Sequence, residues 1–394
     1  MNRVLPILTL LFVYSCEDNE EKEVITFVKT FGGNSLDIGS SAQQTADGGY
    51  IIGGLTSSFG NGYYDAWLIK TDSEGNEVWN KTFGESGFDG AHSVQQTSDG
   101  GYIMTGWTSS FGNGASDVWL IKTDGEGNEE WNQTFGGSYP DDGHFVQQTI
   151  DSGYIITGQK RYSFWTRESD VLLIKSDSKG NEEWNYTFGG SGWNEGNSVQ
   201  QTVDGGYILT GSTSSFEIGN LDICLIKIDS KGNEEWNRIF GKSRSDEGYS
   251  VQQTTDGGYI ITGSTLSSES RWDVWLIKTD FLGNEVWNKT LGGNAHYHGS
   301  SIQQTTDGGY IITGNISPSE DDYYQEVWLI KTDSQGNEEW NKTFGGSDDH
   351  KGNSVRQTTD GGYIITGYTL TFDNGGKDIL LIKTDSEGNT VPYK

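Results

Sequence analysis

Four aspartates recur at one position of a repeating pattern, where their carboxylates could bind a cation. Each lies five residues before the valine or alanine of a short segment that ends in Gln-Gln. These residues are Asp37, Asp89, Asp141 and Asp246. Because Ca²⁺ prefers oxygen ligands, a partial ring of these carboxylates around an axis could hold calcium. The alternative is that each aspartate only bonds the backbone of a turn before a strand.

All five histidines lie in the same segments, which we expect to be loops between successive repeats. They are His92, His144, His296, His298 and His350. Imidazoles of the last three could converge on a metal ion from adjacent loops. The alternative is that they are ordinary surface histidines.

The common signatures of catalysis are missing from the sequence. We find no Ser-His-Asp spacing, paired catalytic carboxylates, glycine-rich phosphate loop or Cys-x-x-Cys motif. The recurring TDSEGNE segment lacks the spaced carboxylates and the terminal glutamate of a calcium loop. A hairpin turn with a left-handed glycine explains it. The sequence therefore favours a non-enzymatic protein without a cofactor, although Ca²⁺ could bind.

A repeat of about fifty residues organises the whole chain. Its marker, Asp-Gly-Gly-Tyr or Asp-Ser-Gly-Tyr, begins seven times at intervals of 52, 52, 53, 52, 51 and 53 residues, by subtraction. The markers start at Asp47, Asp99, Asp151, Asp204, Asp256, Asp307 and Asp360. A fixed period of this length is typical of propellers and solenoids.

One repeat contains four predicted strands, at 93–97, 102–108, 117–124 and 129–135. They are short, rich in β-branched and aromatic residues, and separated by clusters of Gly, Asp, Asn and Ser. The run VWLI in the third strand has no inside–outside alternation, as expected for a strand buried on both faces. Seven repeats of four antiparallel strands predict an all-β, seven-bladed β-propeller.

The two ends of the chain complement each other. The seventh blade, made from 352–385, has no good fourth strand, because Pro392 stands where the other repeats have tryptophan. The segment 24–31 resembles the end of a repeat that lacks its beginning, with Phe27 in the tryptophan position. We therefore expect the N-terminal strand to pair into the C-terminal blade and to close the ring.

The segment IKTDSEGNEVWNKTFG (69–84) resembles the repeat of the quinoprotein-alcohol-dehydrogenase-like (PQQ-like) propellers of bacteria. The glycine pair before tyrosine and the later tryptophan also resemble Kelch repeats. The resemblance covers residues 24–394 and implies a propeller fold. No quinone site of that family can be carried over onto this sequence, so the resemblance implies no activity.

The loops of the repeats fall into two classes, which a propeller places on opposite faces. The turns of the SDGG and DSEGN types are nearly constant and define what we call the monotonous face. The connections between second and third strands, such as 159–169, and those between blades vary, and they define the variable face. Aromatic residues there are candidates for ligand binding: Trp107, Trp165, Trp193, Trp272, Tyr323 and Tyr324.

The N-terminus predicts export and a lipid anchor. Residues 1–15 have a short apolar core, too short to span a membrane, that is typical of a signal peptide. Cys16 then follows in a context that resembles a bacterial lipobox, and 16–23 would be an acidic tether before the propeller at 24–394. The alternative is an ordinary cleaved signal. We expect the protein at the outer membrane or the cell surface.

Charge and cysteine content narrow the possible partners. The net charge of −30 argues against nucleic acid and anionic membrane surfaces, so only the anchor would touch a membrane. Cys224 occupies the third-strand position of Trp67, Trp119, Trp275 and Trp328, which predicts a buried free thiol without a disulfide framework.

We expect a monomeric, lipid-anchored binding scaffold that takes a protein or a glycan through its variable face. One rival is a hydrolase or lyase that acts on polysaccharide at the mouth of the channel. A second is a structural component of the envelope. Convergent, desolvated acid and base groups at the channel mouth would favour the enzyme, whereas scattered loop carboxylates favour binding.

Overall fold

The structure is a computed structural model, and it describes residues 24–215, 220–242, 244–266, 271–317, 324–346, 348–370 and 376–392. These residues form seven antiparallel sheets of four strands each, which confirms the seven-bladed β-propeller. Among them, no helix is long and apolar enough to cross a membrane.

Each blade runs from an inner strand beside the channel to an outer strand. The inner strands are β2 (Asp37–Gln44), β6 (Asp89–Gln96), β10 (Asp141–Gln148), β14 (Asn194–Gln201), β18 (Asp246–Gln253), β22 (His296–Gln304) and β26 (His350–Gln357). The second strands are β3 (Tyr50–Thr56), β7 (Tyr102–Thr108), β11 (Tyr154–Arg161), β15 (Tyr207–Thr213), β19 (Tyr259–Leu266), β23 (Tyr310–Ser317) and β27 (Tyr363–Leu370).

The third and outer strands complete the sheets. The third strands are β4 (Asp65–Thr71), β8 (Asp117–Thr123), β12 (Ser169–Ser176), β16 (Asp222–Ile228), β20 (Trp272–Thr279), β24 (Glu326–Thr332) and β28 (Lys377–Thr384). The outer strands are β5 (Glu77–Phe83), β9 (Glu129–Phe135), β13 (Glu182–Phe188), β17 (Glu234–Phe240), β21 (Glu285–Leu291), β25 (Glu338–Phe344) and β1 (Phe27–Phe31). Blade 1 comprises β2–β5, the next five blades follow in order, and blade 7 comprises β26–β28 with β1.

The N-terminal strand closes the ring as expected. β1 pairs antiparallel with β28, from Phe27 opposite Lys383 to Phe31 opposite Ile379. The strand is shorter than the predicted 24–31, because residues 24–26 precede the pairing. The Phe27 ring lies 5.7 Å from that of Tyr50 in blade 1, close to the 5.8 Å between Trp79 and Tyr102 at the next junction. The Phe27 side chain, although smaller than tryptophan, therefore makes the same contact between blades.

The repeat marker is explained by a buried lysine. Every residue of β4 is buried, including Lys70, whose Nζ lies 2.9 Å from Asp47 Oδ2. Asp47 Oδ1 also accepts the hydroxyl of Thr45 and the amide of Gly49. A Cβ on Gly49 would lie 2.1 Å from the Thr71 carbonyl oxygen, so a side chain does not fit there. The marker thus anchors the third strand of each blade.

The third strands confirm two predictions about burial. β4, β8 and β16 are buried at every position, as the continuous apolar run indicated. Cys224 is a free cysteine with 3% of its surface exposed, in the tryptophan position of the other blades.

The structure corrects the prediction that the five histidines lie in loops. All five belong to inner strands, because these strands begin three or more residues before the segment that the sequence pattern indicated. Each inner strand contains a β-bulge near its start, as between Ala91 and Ser93 in β6. An extra residue breaks the alternation of side chains, so the pattern does not reveal the first part of the strand.

Candidate binding site at the channel mouth

The bulges place one side chain of each blade at the channel mouth. In β6 the bulge residue is His92, and in β10 it is His144. We call the seven equivalent residues the bulge ring: Ser40, His92, His144, Asn197, Tyr249, Ser300 and Asn353. A bulge changes the direction in which a side chain points. The ring contains four residue types among its seven members, whereas the neighbouring Gln-Gln segment is almost constant.

The bulge ring lines a cavity of about 510 Å³ at the variable face. Lys351, Tyr368 and Arg356 also contribute to its wall. The cavity opens at the ends of the inner strands that follow the connections between blades. It is of a size that accommodates a small ligand or a protruding group of a larger one.

A second cavity, of about 570 Å³, lies toward the monotonous face and is lined by glutamines. Six of them accept, through Oε1, the backbone amide of the second glutamine in the next blade at 2.6–3.3 Å. They are Gln43, Gln95, Gln147, Gln200, Gln252 and Gln303. The second glutamine of each blade accepts, through Oε1, a backbone amide of the preceding blade at 2.8–3.0 Å. This hydrogen bond occurs seven times around the ring. Gln-Gln therefore connects the blades.

Arg356 takes the seventh position of the glutamine ring and lines both cavities. Its guanidinium donates to the Val355 carbonyl oxygen at 3.4 Å, and no described carboxylate lies within ion-pair distance. Burial lowers the pKa of Arg356 from its usual value, although a guanidinium stays charged in proteins. The channel thus carries a fixed positive charge between its two cavities.

His92, Asp142 and His144 converge on one side of the mouth. Asp142 Oδ2 lies 3.3 Å from His92 Nε2 and 3.6 Å from His144 Nε2. The two imidazole rings are 5.5 Å apart and nearly perpendicular, at 88°. Among the described residues, this is the group of three or more His, Cys, Asp or Glu side chains whose ligand atoms all lie within 4.8 Å. Sequence reasoning missed Asp142, which follows one of the predicted aspartates.

The three groups polarise one another. Burial alone would lower the pKa of His144, but the negative charges of Asp142, 3.6 Å away, and of Glu195 raise it to about 9. Burial would raise the pKa of Asp142, yet the two histidines hold it far below its usual range. Burial raises the pKa of Glu195, in the next blade. Without another ligand, the cluster therefore holds a proton on His144 and a negative charge on Asp142.

Other polar groups face the cluster across the mouth. The Tyr249 hydroxyl donates to Glu247, and burial together with this carboxylate raises the pKa of Tyr249 well above its usual value. On the opposite side, burial and the nearby Lys377 lower the pKa of Lys351. The mouth is therefore acidic in blades 3 to 5 and basic in blade 7. This uneven charge suits a ligand that binds in one orientation.

The six predicted ligand-binding aromatics occupy different environments. Trp107 lies half-buried against His92, with ring centroids 4.6 Å apart, and Trp272 lies 5.4 Å from His298. Trp193 is half-buried, Tyr324 is exposed, and Trp165 has 94% of its surface exposed. Tyr323 lies outside the described residues. The structure thus packs Trp107 behind His92, which lines the mouth, and leaves Trp165 and Tyr324 exposed to solvent.

The four predicted metal-binding aspartates are buried at four separate blade junctions. The carboxylate of Asp89 accepts the hydroxyls of Thr108 and Ser110 and the amide of Glu85. A Cβ on Gly84 would contact both Asp65 and Asp89, so a second carboxylate from the preceding blade lies close by. Asp37, Asp141 and Asp246 also receive bonds from their own surroundings. Calcium binding by these residues stays a prediction. Because the four aspartates are apart, each junction would have to bind its own ion.

The three histidines predicted for metal binding do not belong to the cluster. His298 lies on the channel side of blade 6, where burial and the nearby Lys351 lower its pKa to about 4. His350 is buried in the aspartate position of blade 7. The sequence signal that could have identified His92 and His144 is their shared position, one residue after the Gly or Ala of each inner strand.

Exposed aromatic side chains concentrate on the loops of the variable face. Tyr63 and Phe88 stack at 4.7 Å, and Tyr139 packs against Phe164 at 5.2 Å. We call the exposed aromatics of the variable face the aromatic rim: Phe59, Tyr63, Phe88, Tyr139, Tyr162, Phe164, Trp165 and Tyr324. Two further exposed aromatics of the described residues lie elsewhere, Tyr186 on an outer strand and Phe281 on a turn of the monotonous face.

Comparison with known proteins finds the fold and little more. No protein-family model matches the chain. A curated relative, regulatory protein FlaEY of Caulobacter vibrioides, is 24% identical over 162 residues, 36% of this chain and only 17% of that protein. The chain thus matches less than a fifth of that relative's length.

Solved structures are similar to most of the chain. BBS1N, solved in complex with ARL6DN, has a TM-score of 0.51 at 9% identity, covering 93% of this chain and 99% of that one. Sqt1 from Chaetomium thermophilum has a TM-score of 0.48 at 8% identity, covering 86% and 82%. A Dyadobacter fermentans protein of unknown function has 0.46 at 10%, covering 90% and 98%. At this identity, the likeness to BBS1N supports the fold alone.

Proposed function

We propose that this protein is a non-enzymatic binding scaffold that docks a protein partner on its variable face. The observation that carries the proposal is the aromatic rim, since eight of the ten exposed aromatics of the described residues lie on this face. Grouped aromatic side chains mark protein interfaces, because they bury much apolar area at little cost in conformational entropy. The propeller BBS1N was solved with a protein, ARL6DN, which is consistent with such a role for this shape.

The proposal includes the anchor and the location. Cys16 would carry the lipid after removal of 1–15, and 16–23 would link it to the propeller at the outer membrane or cell surface. Incorporation of a radiolabelled fatty acid into the wild type, and its loss in Cys16→Ser, is the expected result. An unlabelled wild-type protein would contradict the anchor without affecting the docking face.

Photocrosslinking tests the docking face directly. A photoreactive phenylalanine analogue replaces Tyr63 or Trp165 on the aromatic rim, and Phe281 on the monotonous face serves as the control, because it is 64% exposed. On intact cells, we expect a discrete protein adduct from the rim positions and none from Phe281. Adducts of carbohydrate composition would favour a glycan instead, and equal crosslinking from both faces would contradict the proposal.

A polysaccharide hydrolase or lyase remains the second candidate, supported by the convergence of His92, Asp142 and His144 at the mouth. Such groups could move a proton to or from a bound sugar. A lyase would create a double bond with ultraviolet absorbance, and a hydrolase would create new reducing ends. Turnover of a polysaccharide by the wild type that is lost in Asp142→Asn would favour this candidate over binding alone.

A further inference from the structure

The cluster at the channel mouth has the composition and spacing of a metal centre. Ligand atoms about 2.0–2.1 Å from a tetrahedral zinc ion lie about 3.3 Å apart. The Asp142 carboxylate oxygen lies 3.3 Å and 3.6 Å from the Nε2 atoms of His92 and His144. All three ligand atoms lie within 4.8 Å of one another, so small movements of the side chains would bring them around one ion.

Hydrogen bonds orient His144 toward such an ion. Its Nδ1 lies 3.0 Å from the Gly196 carbonyl oxygen and 3.1 Å from Asn197 Oδ1, and both partners are acceptors. Nδ1 therefore carries the hydrogen, and the lone pair of the neutral ring belongs to Nε2, which faces Asp142. Asn197 Nδ2 in turn donates to the Gly248 carbonyl oxygen at 2.9 Å, which fixes the amide. Metal-binding histidines are typically held by such outer bonds.

His92 is held by its 3.3 Å contact with Asp142 and by packing against an indole ring. Trp107 lies against its ring, with centroids 4.6 Å apart. This position of the tryptophan requires Gly90, because a Cβ there would lie 2.3 Å from the indole Cη2. The equivalent residue of blade 3 is Asp142 itself. Blade 2 thus has no side chain at this position, which leaves room for Trp107 to pack against His92.

The second carboxylate oxygen of Asp142 is available to bind a ligand. Its Oδ1 is buried and accepts no hydrogen bond from the described residues. The side chain nevertheless has 33% of its surface accessible. The carboxylates of Glu195 and Glu247 in the next two blades add negative charge to this half of the mouth. The surroundings therefore favour a cation.

We propose that His92, Asp142 and His144 bind a divalent transition-metal ion of the Zn²⁺ class. Two imidazole nitrogens and one carboxylate oxygen suit zinc and its neighbours, whereas Ca²⁺ and Mg²⁺ prefer all-oxygen sites. Three protein ligands leave a fourth position open toward the cavity of about 510 Å³. The site is independent of the aromatic rim and of the proposed protein partner.

Calorimetric titration of Zn²⁺ into the chelator-treated protein tests the proposal. We expect one ion per chain, with affinity lowered by at least about 100-fold in His92→Ala and in Asp142→Asn, since loss of even an outer partner costs about 10–100-fold. His298→Ala is the matched control, because it removes a mouth histidine outside the cluster, and it should bind as the wild type does.

Two further measurements separate binding from folding. Melting curves without metal check that each variant is folded, and Zn²⁺ should raise the melting temperature of the wild type and of His298→Ala only. Co²⁺ should give the visible absorption of four-coordinate cobalt in these two proteins alone. Absence of stoichiometric Zn²⁺ binding to the wild type would overturn the proposal. Equal weakening by His298→Ala, or unchanged binding in both ligand variants, would overturn it as well.

Discussion

Arg356 replaces a hydrogen-bond acceptor with a cation at the seventh position of the glutamine ring. A guanidinium only donates, so it cannot accept the Gln44 amide in the way that Gln43 accepts the amide of Gln96. A charged group without a carboxylate partner in the channel wall also costs free energy. Glutamine, as in the other six blades, would be more stable at this position. The arginine therefore indicates a role in the mouth cavity that it lines.

Arg356→Gln is therefore expected to stabilise the fold. One additional hydrogen bond and the removal of a desolvated charge should raise the free energy of unfolding by about 1 kcal/mol. The reverse change in another blade, Gln252→Arg, should lower it. Thermal melting of the three proteins checks this order. A lower melting temperature for Arg356→Gln would show that the native charge stabilises the channel.

Among the elements, β1 carries the closure of the ring. It covers the edge of β28 and places Phe27, 5% exposed, at the junction between blades 7 and 1. The turn of blade 1 packs on this ring, as a Cβ on Gly75 would lie 2.6 Å from it. An exposed edge strand invites pairing with other chains. Closure thus protects the protein from aggregation.

Phe27→Ala is expected to open this junction. Removal of a buried phenylalanine typically costs about 3–5 kcal/mol. The control is Val24→Ala, which precedes the strand at a position 36% exposed and should leave stability nearly unchanged. Melting temperature and light scattering should show an unstable, aggregating Phe27→Ala. Equal stability of the two variants would contradict closure by β1.

The strand pattern could be predicted from the sequence far better than the site. The period, the buried third strands and the role of Phe27 follow from residues that recur in register. The sequence pattern predicts loops at His92 and His144, because a bulge breaks the alternation that identifies a strand. Asp142 becomes a neighbour of His92 only when two blades pack side by side, and no spacing along one repeat reveals that contact.

Across the molecule, the pKa values of two sets of aspartates are shifted in opposite directions. Partial burial would raise the pKa of the first set, but hydrogen bonds from threonine, lysine and glycine lower it from 3.8 to about 2. This set contains Asp47, Asp99 and Asp307. Burial raises the pKa of the second set above 3.8. This set contains Asp65, Asp117 and Asp246.

The melting temperature should therefore be highest on the acidic side of neutral pH. Below pH 3.8 the aspartates of the first set bind protons in the unfolded chain but stay deprotonated in the folded protein. Stability therefore falls as the pH drops toward about 2. The second set holds protons more tightly when folded, so its contribution is lost as the pH rises through its raised pKa values. The net charge of −30 adds repulsion at neutral pH. Melting curves across pH check this, and a maximum above neutral pH would contradict it.

The affinity of the crosslinked partner for variants of each face decides whether the variable face is the docking surface. The partner identified from the adducts is purified and titrated with the wild type, with the double variant Tyr63→Ala and Trp165→Ala, and with Phe281→Ala. We expect the rim variant to bind at least about tenfold more weakly, the effect of about 1.4 kcal/mol, and Phe281→Ala to bind like the wild type. Unchanged affinity of the rim variant, or a loss confined to Phe281→Ala, would contradict docking on the variable face.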